Sequence, residues 1–584
     1  MSTIDMLQHI LFEFSVYEAA HNAPYKARAY QSAAETVSQH ADDLETLWKA
    51  QGIKGLKELP GIGTAIAEKI DEFFRTGRIA SYRTMKQAFP VDSARLSTLE
   101  GLGPKHIFTL WQKLKIKNLS DLEHALQHKK IAQLPGFGEA SQARLARALH
   151  LKRAASGRPA LGFILPIAEE LVAHLTRLPD VTRSAYGGSI RRRQETVGDI
   201  DLIATSNHPI RVMEAFVHFP EVDSVIEQGP TRTLVRLHNG LDADLRVVPD
   251  QVFGATLLYF TGSKQHNILL RERALKRGYT LNEYGLFKGK KLLACAHEEE
   301  IYTRLGLDMP PPELRVGGEE LLAAEHHALP DLLPYGSVRG DLQVQTNWTD
   351  GSDSIEQMAR AARTNRLSYM AVTDHTKALT FIHGLHEREV TKQGKEIDRL
   401  NKKYTIKTHA RLLHGTECDI LRDGTLDLNN ATLSALDWVG VSVHTSLELE
   451  ATDMTKRIVK ALSNPNIDCF FHPTSRRIGR REPCAMDMDE VLATAKKFRV
   501  ALEIDATPDR SDLNDLHVRS AIRAGVPLVI DSDAHSPDHF RFLNFGEGIA
   551  RRGWATKTDI MNTKTLTQLR AWLEKKRPRP QWTA

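Results

Sequence analysis

The chain runs to 584 residues, and at roughly 150 residues per folding unit it should divide into three to five rather than form one core. Apolar residues at 41% and charged residues at 26% exclude a disordered or fibrous protein. No apolar stretch nears the roughly 18 residues of a membrane span, and the start MSTIDMLQHILFEF lacks a signal peptide's order, so a cytoplasmic protein with no membrane partner is expected. The net charge of +5 is unevenly spread: residues 101–158 hold 11 Lys/Arg against 3 Asp/Glu, which a solvated face or a nucleic-acid surface would each explain.

From the N-terminus, one pattern occurs three times: LPGIG at residues 59–63, LEGLG at 99–103 and LPGFG at 134–138. The first runs on into the amphipathic TAIAEKIDEFF. Glycine tolerates positive φ and close backbone approach, so a turn of this kind before a helix can aim unpaired amides at one phosphate. Gly61, Gly63, Gly101, Gly103, Gly136 and Gly138 are therefore candidate phosphate contacts, which would carry no base information. The three copies resemble helix-hairpin-helix motifs, and the resemblance implies that these glycines grip a DNA backbone. Glu139 follows the third, where a small or basic residue would suit phosphate better, so that copy is expected to be structural.

Residues 187–206 read GGSIRRRQETVGDIDLIATS. The alternation around Val197 to Ile203 predicts a strand, and its period of two sets Asp199 and Asp201 on one face with Ile200 on the other. A second strand, DADLRVV at 242–248, offers Asp244 among apolar neighbours. Three carboxylates on adjacent strands repel one another unless cations lie between them, and such a trio can hold two Mg²⁺ (or Mn²⁺) ions roughly 3.5–4 Å apart. Gly187, Gly188 and Ser189 should turn amides and a hydroxyl toward phosphate oxygens, with Arg192 gripping a β- or γ-phosphate.

These motifs together resemble the X-family DNA polymerases. The resemblance assigns catalysis to Asp199, Asp201 and Asp244, with Asp244 helping to deprotonate a primer hydroxyl. The stretch LYFTGSKQHNILLRERALKRGYTLNEYGLF at 258–287 is similar to that family's thumb. It implies that Tyr259 and Phe260 lie against the nucleotide sugar, that Gly262 permits close approach, and that Asn267 and Arg271 reach the minor-groove edge of the new base pair. PYKARAYQSAAETV followed by LPGIGTAIAEKIDEF resembles the family's small N-terminal domain. There Lys69 matches the lysine with which animal polymerase beta forms a Schiff base on abasic sugars; a plain surface lysine is the other reading, since such a nucleophile needs a depressed pKa.

From about Gly340, short apolar runs each end in a potential metal ligand: His375, Glu417, His444, His472, Asp505, and Asp533 with His535. Strands alternating with helices imply parallel units, and ligands at their carboxyl ends imply a barrel with its site on that face. Mixed imidazole and carboxylate donors suit Zn²⁺ or Mn²⁺. The four cysteines, Cys295, Cys418, Cys469 and Cys484, form no CxxC pair and are expected to be reduced and structural. The series resembles the polymerase and histidinol phosphatase (PHP) domain that bacterial X-family polymerases carry, a trinuclear metal barrel acting as 3′–5′ exonuclease or 3′-phosphatase. In that family the first motif reads Asp-Leu-His-x-His; here it is DLQVQTNWTDG, with Gln343 and Gln345, and Asp505 stands where asparagine is common. The first metal position is therefore expected to be lost and phosphoesterase activity reduced or absent, leaving Asp350, His375, Glu417, His444, His472, Asp533 and His535 for at most two ions; residual 3′–5′ exonuclease action is the other reading, since two intact sites can position a hydroxide.

The expected fold is multidomain α/β. A helical N-terminal domain spans 1–80, fingers with two further hairpins 81–158, a nucleotidyltransferase palm 159–248, a thumb 249–315, a linker 316–335 and a distorted β/α barrel 336–575. The expected function is template-dependent filling of gapped or nicked duplex DNA from dNTPs, in base excision or end-joining repair, by a monomer. The rivals are a small-molecule nucleotidyltransferase, which has no use for three hairpins, and a non-catalytic DNA-binding repair scaffold, which has no use for an aspartate trio.

Overall fold

A computed structural model describes residues 3–577 apart from 22, 40–43, 60, 98–101, 129, 135, 136, 140, 141, 143, 144, 147–157, 448, 479, 480 and 482. Gly101 and Gly136 lie outside the described residues. Two compact units divide the chain, residues 1–157 and residues 158–584.

The first unit is helical throughout its described residues. Leu7, Leu11 and Phe14 on helix Thr3–Ala20 pack with Ile66, Ile70 and Phe73 on helix Thr64–Thr76 in one core. A second core gathers Phe89, Ile107, Leu110 and Leu122 around helices Pro104–Leu114 and Leu119–Gln127. Each of these helices sets one apolar stripe inward and leaves polar residues outside, the condition under which short helices become stable.

The second unit begins with a five-stranded sheet of β1 (Arg183–Tyr186), β2 (Asp199–Thr205), β3 (Val222–Gln228), β4 (Arg232–Leu237) and β5 (Asp242–Val248), in the order β1-β2-β5-β4-β3. Strands β2 and β5 run parallel while the other pairs are antiparallel. Helices Leu161–Arg177 and Pro209–Phe216 bury their apolar faces with Ile200, Leu202, Ala243 and Leu245. Helices Phe253–Thr261 and Lys264–Lys276 follow, and then a small sheet of β6 (Thr280–Asn282), β7 (Gly285–Lys288) and β8 (Lys291–Ala294). The span expected as a linker contains helix Glu319–Glu325, whose Glu320 is buried against the imidazole of His266 at 2.7 Å.

The rest is a nearly closed parallel barrel in sequence order: β9 (Gly340–Val344), β10 (Tyr369–Val372), β11 (Arg411–Asp419), β12 (Trp438–Ser442), β13 (Cys469–Phe470), β14 (Ala501–Asp505) and β15 (Leu528–Asp531). The Gln345 amide donates to the Ala534 carbonyl at 2.8 Å and joins the ends. Seven short apolar runs became strands buried on both faces, as parallel strands under a helical layer must be. Gly440 is required inside: a Cβ there would meet the Phe471 ring at 1.8 Å. The expected class, helical N-terminal region, mixed sheet and C-terminal barrel, is the one observed. Among the described residues no helix is long and apolar enough to cross a membrane. All four cysteines are buried and free.

Candidate functional site

Two constellations stand out in the second unit, and each is set by strand geometry. On the five-stranded sheet, parallel pairing places Asp201 directly beside Asp244, with Asp199 two residues back on the same face. Asp199 is exposed and Asp201 and Asp244 are half-buried, whereas Ile200 and Ala243 between them are fully buried. Burial, helped by the charges of Asp199 and Asp244, pushes the Asp201 carboxyl up to about 7. Three acids that destabilise one another's ionised forms are the donor set a divalent cation would settle. Their oxygens do not all lie within 4.8 Å of one another, and Asp244 is engaged by Arg232, whose Nε and Nη2 lie 3.0 and 2.9 Å from its Oδ2.

Behind the trio sits the glycine turn. The amide of Gly187 donates to the Asp201 carbonyl at 2.8 Å. Gly188 has a φ of +56°, and a Cβ there would be strained and would fall 2.1 Å from Asp201 Oδ2, so any other residue would displace that carboxylate. The Ser189 hydroxyl is buried with no hydrogen-bond partner, an orphan that a phosphate oxygen would satisfy. The Arg192 guanidinium donates to the Thr261 carbonyl, and burial followed by repulsion from Arg552 lowers it to about 10. A Cβ on Gly187 would lie 3.4 Å from the Phe260 backbone, and one on Gly262 3.2 Å from Arg192 Nη1. The Tyr259 and Phe260 rings meet edge to face at 5.2 Å. Asn267 donates to the Tyr259 carbonyl at 2.7 Å, and Arg271 Nε reaches the Asn267 carbonyl at 3.3 Å. Turn, aspartates and thumb residues thus form one neighbourhood.

Three supporting groups had no signal in the motif pattern. Arg232 holds Asp244, as above. Arg246 lies with its guanidinium 4.8 Å over the Phe260 ring. Arg191 donates both to Thr261 Oγ1 at 2.6 Å and to Glu298 at 2.6 Å. Buried Arg315 takes the other side of Glu298; burial alone would raise that carboxyl, but the two guanidinium groups hold it at about 2.

At the barrel's carboxyl ends, Asp350, His375 and His535 form one group with a donor atom from each within 4.8 Å of the others, and His375, Glu417 and His444 form a second. His472 Nε2 is 2.8 Å from Glu417 Oε1, and His444 Nε2 is 3.1 Å from the same atom. Asp419 stands 3.3 Å from His444 Nδ1, where an outer partner would orient an imidazole bound to an ion, and the sequence did not mark it. Burial would lower His444, but Asp419 and Glu417 carry it up to about 9. These two groups fit a divalent ion by donor type and spacing.

The first position does not fit one. Gln345 turns its amide nitrogen to Glu417, donating to Oε2 at 2.8 Å, and both polar atoms of the Gln343 side chain are buried without a partner. Asp533 and Asp505 are met instead by Arg510, whose Nε lies 3.7 and 3.2 Å from their Oδ2 atoms. Burial, followed by the charge of Arg510, depresses His472 to about 4.

In the first unit, Gly63 and Gly103 cap helices Thr64–Thr76 and Pro104–Leu114 with no side-chain cap on their amides, and Gly138 accepts from the Gln142 amide at 2.9 Å. A Cβ at any of these three would meet open space, so a ligand can approach the backbone. Gly61 is different: its φ is +78° and a Cβ would strike Ser32 Oγ at 2.3 Å, which makes it a turn residue. Lys69 is half-buried, with its ammonium 5.8 Å from the Phe14 ring centroid.

A palm-like sheet bearing an aspartate trio and a glycine turn, joined to a histidine-rich parallel barrel, marks a nucleotidyltransferase class with an appended PHP domain. Comparison with known proteins agrees. The model of the DNA polymerase beta thumb matches residues 256–316, and that of a helix-hairpin-helix domain matches residues 2–79. The chain is 34% identical over 571 residues to DNA polymerase/3′-5′ exonuclease PolX of Bacillus subtilis, covering 97% of this chain and 98% of that one. It is 25% identical over 350 residues to DNA polymerase lambda of Rattus norvegicus, covering 53% of this chain and 56% of that one. A probable phosphatase of Caldicellulosiruptor saccharolyticus is 26% identical over 192 residues, 31% of this chain and 74% of its own. The chain belongs to the X family of DNA polymerases, in the form that carries a C-terminal PHP domain.

Proposed function

We propose that the protein is a template-directed DNA polymerase that fills short gaps in duplex DNA during repair, taking dNTPs as substrates. One observation carries the reading: the parallel register that sets Asp201 against Asp244 beside a positive-φ glycine turn packed on the Asp201 carboxylate. Two Mg²⁺ or Mn²⁺ ions held by Asp199, Asp201 and Asp244 would supply activation of the primer 3′-hydroxyl and neutralisation of the leaving group. The primer oxygen attacks the α-phosphorus in line, the new O3′–P bond forms, and the bond to the β-phosphate oxygen breaks to release pyrophosphate. Ser189 Oγ and the turn amides receive the triphosphate oxygens, with Arg192 as their charged partner. Tyr259 and Phe260 exclude a sugar 2′-hydroxyl, and Asn267 and Arg271 test the minor-groove edge of the pair. Asp244 is the group we assign to help deprotonate the primer hydroxyl. The open amide ends at Gly63, Gly103 and Gly138 suit a clamp on backbone phosphates, with Gly101 and Gly136 the remaining members of the set.

We assign the barrel a reduced phosphoesterase role, because amides stand at its first metal position and Gln345 donates to Glu417 there. Labelled gapped DNA incubated with Mg²⁺ or Mn²⁺, with and without dNTPs, separates the possibilities. Template-matched extension that vanishes in Asp199→Ala supports the polymerase and excludes a scaffold, and absence of extension refutes it. Shortening of the primer without dNTPs at a rate comparable with extension refutes the impaired barrel. Borohydride trapping on a 5′-abasic end, lost in Lys69→Ala, would assign Lys69 as a lyase nucleophile; no trapping leaves it a surface lysine.

A further inference from the structure

Outside the aspartate trio and the barrel, two more sets of side chains among the described residues converge as metal ligands do. One, His9 with Glu13 and Asp92, is already spent, because the Glu13 carboxylate accepts from Tyr82, Lys86 and the Ser93 amide. The other is Glu170, His174 and Glu221, a donor atom of each lying within 4.8 Å of the other two. Glu170 and His174 share one face of helix Leu161–Arg177, four residues apart, and Glu221 meets them from the residue before β3. The Phe219 ring stands edge-on to His174 at 5.2 Å, and the Glu221 carbonyl accepts the His238 amide at 3.0 Å, so imidazole and carboxylate are each braced.

The spacing separates this set from an ordinary ion pair. A histidine and a carboxylate that merely pair close to hydrogen-bond distance, as His266 Nδ1 and Glu320 do at 2.7 Å. His174 Nδ1 and Glu221 Oε2 stop at 3.5 Å; both atoms are shut off from solvent, and among the described residues neither has a hydrogen-bond partner. The same stand-off recurs in the barrel, where His375 Nδ1, also without a hydrogen-bond partner, lies 3.4 Å from Glu417 Oε2. Two ligands about 2.0–2.1 Å from one tetrahedral ion stand about 3.4 Å apart. We infer that Glu170, His174 and Glu221 form a zinc site on the palm, apart from the nucleotidyl-transfer ions, with water as the fourth ligand where Glu170 opens to solvent. The imidazole favours Zn²⁺ over the Mg²⁺ that suits an all-oxygen trio. What the ion does follows from where its ligands are anchored. Strand β3 is the edge of the sheet, hydrogen-bonded to β4 alone, and its residues 223–228 are all exposed. An ion shared by Glu221 and the helix fastens that edge at its start to an element of the palm core.

Equilibrium dialysis of the full-length chain against zinc, with Mg²⁺ in excess to fill the aspartate trio, counts the ions; those in the barrel cancel when variants are compared. The wild type should hold one zinc more per chain than His174→Ala or Glu221→Gln. Glu170→Gln changes an exposed side chain and should weaken that zinc at least about tenfold, since loss of even an outer partner of a ligand costs roughly 10–100-fold. Hydrogen exchange locates the ion: zinc should slow the amides of β3 and β4 several-fold in the wild type and leave them unchanged in His174→Ala. Equal zinc binding by the wild type and all three variants, or exchange in β3 that does not respond to zinc, would overturn the inference. Should His174→Ala or Glu221→Gln fail to fold, as judged by circular dichroism, the zinc affinity of Glu170→Gln and the wild-type exchange decide.

Discussion

Replacing Gly188 by alanine isolates the link between backbone conformation and metal-ligand placement. Two costs follow from the geometry. At a φ of +56° a residue with a Cβ loses about 1 kcal/mol relative to glycine. Within a unit of more than 400 residues, that amounts to a fall in Tm of about 2 °C or less. The second cost is functional: the new methyl would lie 2.1 Å from Asp201 Oδ2, where ordinary contact needs about 3.4 Å. The carboxylate must retreat by more than about 1 Å, and misplacement of that size costs on the order of 100-fold in rate. Single-turnover extension of a gapped duplex should therefore slow by about two orders of magnitude while DNA affinity and Tm stay close to the parent's. An extension rate within about threefold of the parent's would refute the claim that Asp201 needs that position, and a Tm collapse would show that the turn serves stability.

Asp244→Asn should lower extension by at least about 100-fold with unchanged DNA affinity, read by primer extension and by filter binding. Affinity for gapped duplex should fall at least about 100-fold between 50 and 200 mM salt, because backbone contacts release counterions; a flat profile would remove the hairpins from DNA binding. Gly63→Val fills the open space before helix Thr64–Thr76 and should weaken DNA binding several-fold with an unchanged Tm. Burial lowers His414 to about 4, below an unfolded value of about 6.5, so the unfolded chain binds the extra proton. Its contribution is then whole above pH 6.5 and is lost as the pH falls toward 4, by up to about 3 kcal/mol; denaturation curves at pH 7.5 and 5 should converge for His414→Gln relative to the parent.

What the sequence disclosed depended on locality. Asp199 and Asp201 were legible because a period of two puts neighbours-but-one on one face, and Asp244 because apolar residues flank it in the same rhythm. The gathering of His375, His444, His472, Asp533 and His535 was legible because each follows an apolar run that became a strand, while Glu417 falls inside β11 and Asp350 in the turn beyond β9. Arg232, by contrast, reaches Asp244 from the neighbouring strand β4, and only the strand register reveals that meeting. Arg315 and Glu298 are 17 residues apart with a sheet-bearing thumb packed around them, and nothing local joins them. Arg510 sits in a loop after β14 and meets Asp533, beyond the next strand, only through the fold. Side chains that act through their own element were readable; those that act on another element were not.

The loop that carries Arg192 and Arg193 is braced by the barrel. Arg476 clasps Glu195 with two nitrogens, Arg552 donates to the Arg192 carbonyl at 3.4 Å, and Gly548 is backed by the Arg193 stem. Phe545, from the same barrel helix, belongs to the hydrophobic core of the five-stranded sheet, and Pro508 sits where any side chain on Gly162 would go. A loop held this way inherits its stiffness from the neighbouring barrel rather than from its own sheet. Substitutions that unseat those barrel residues would then be felt at the glycine turn although they touch none of its atoms.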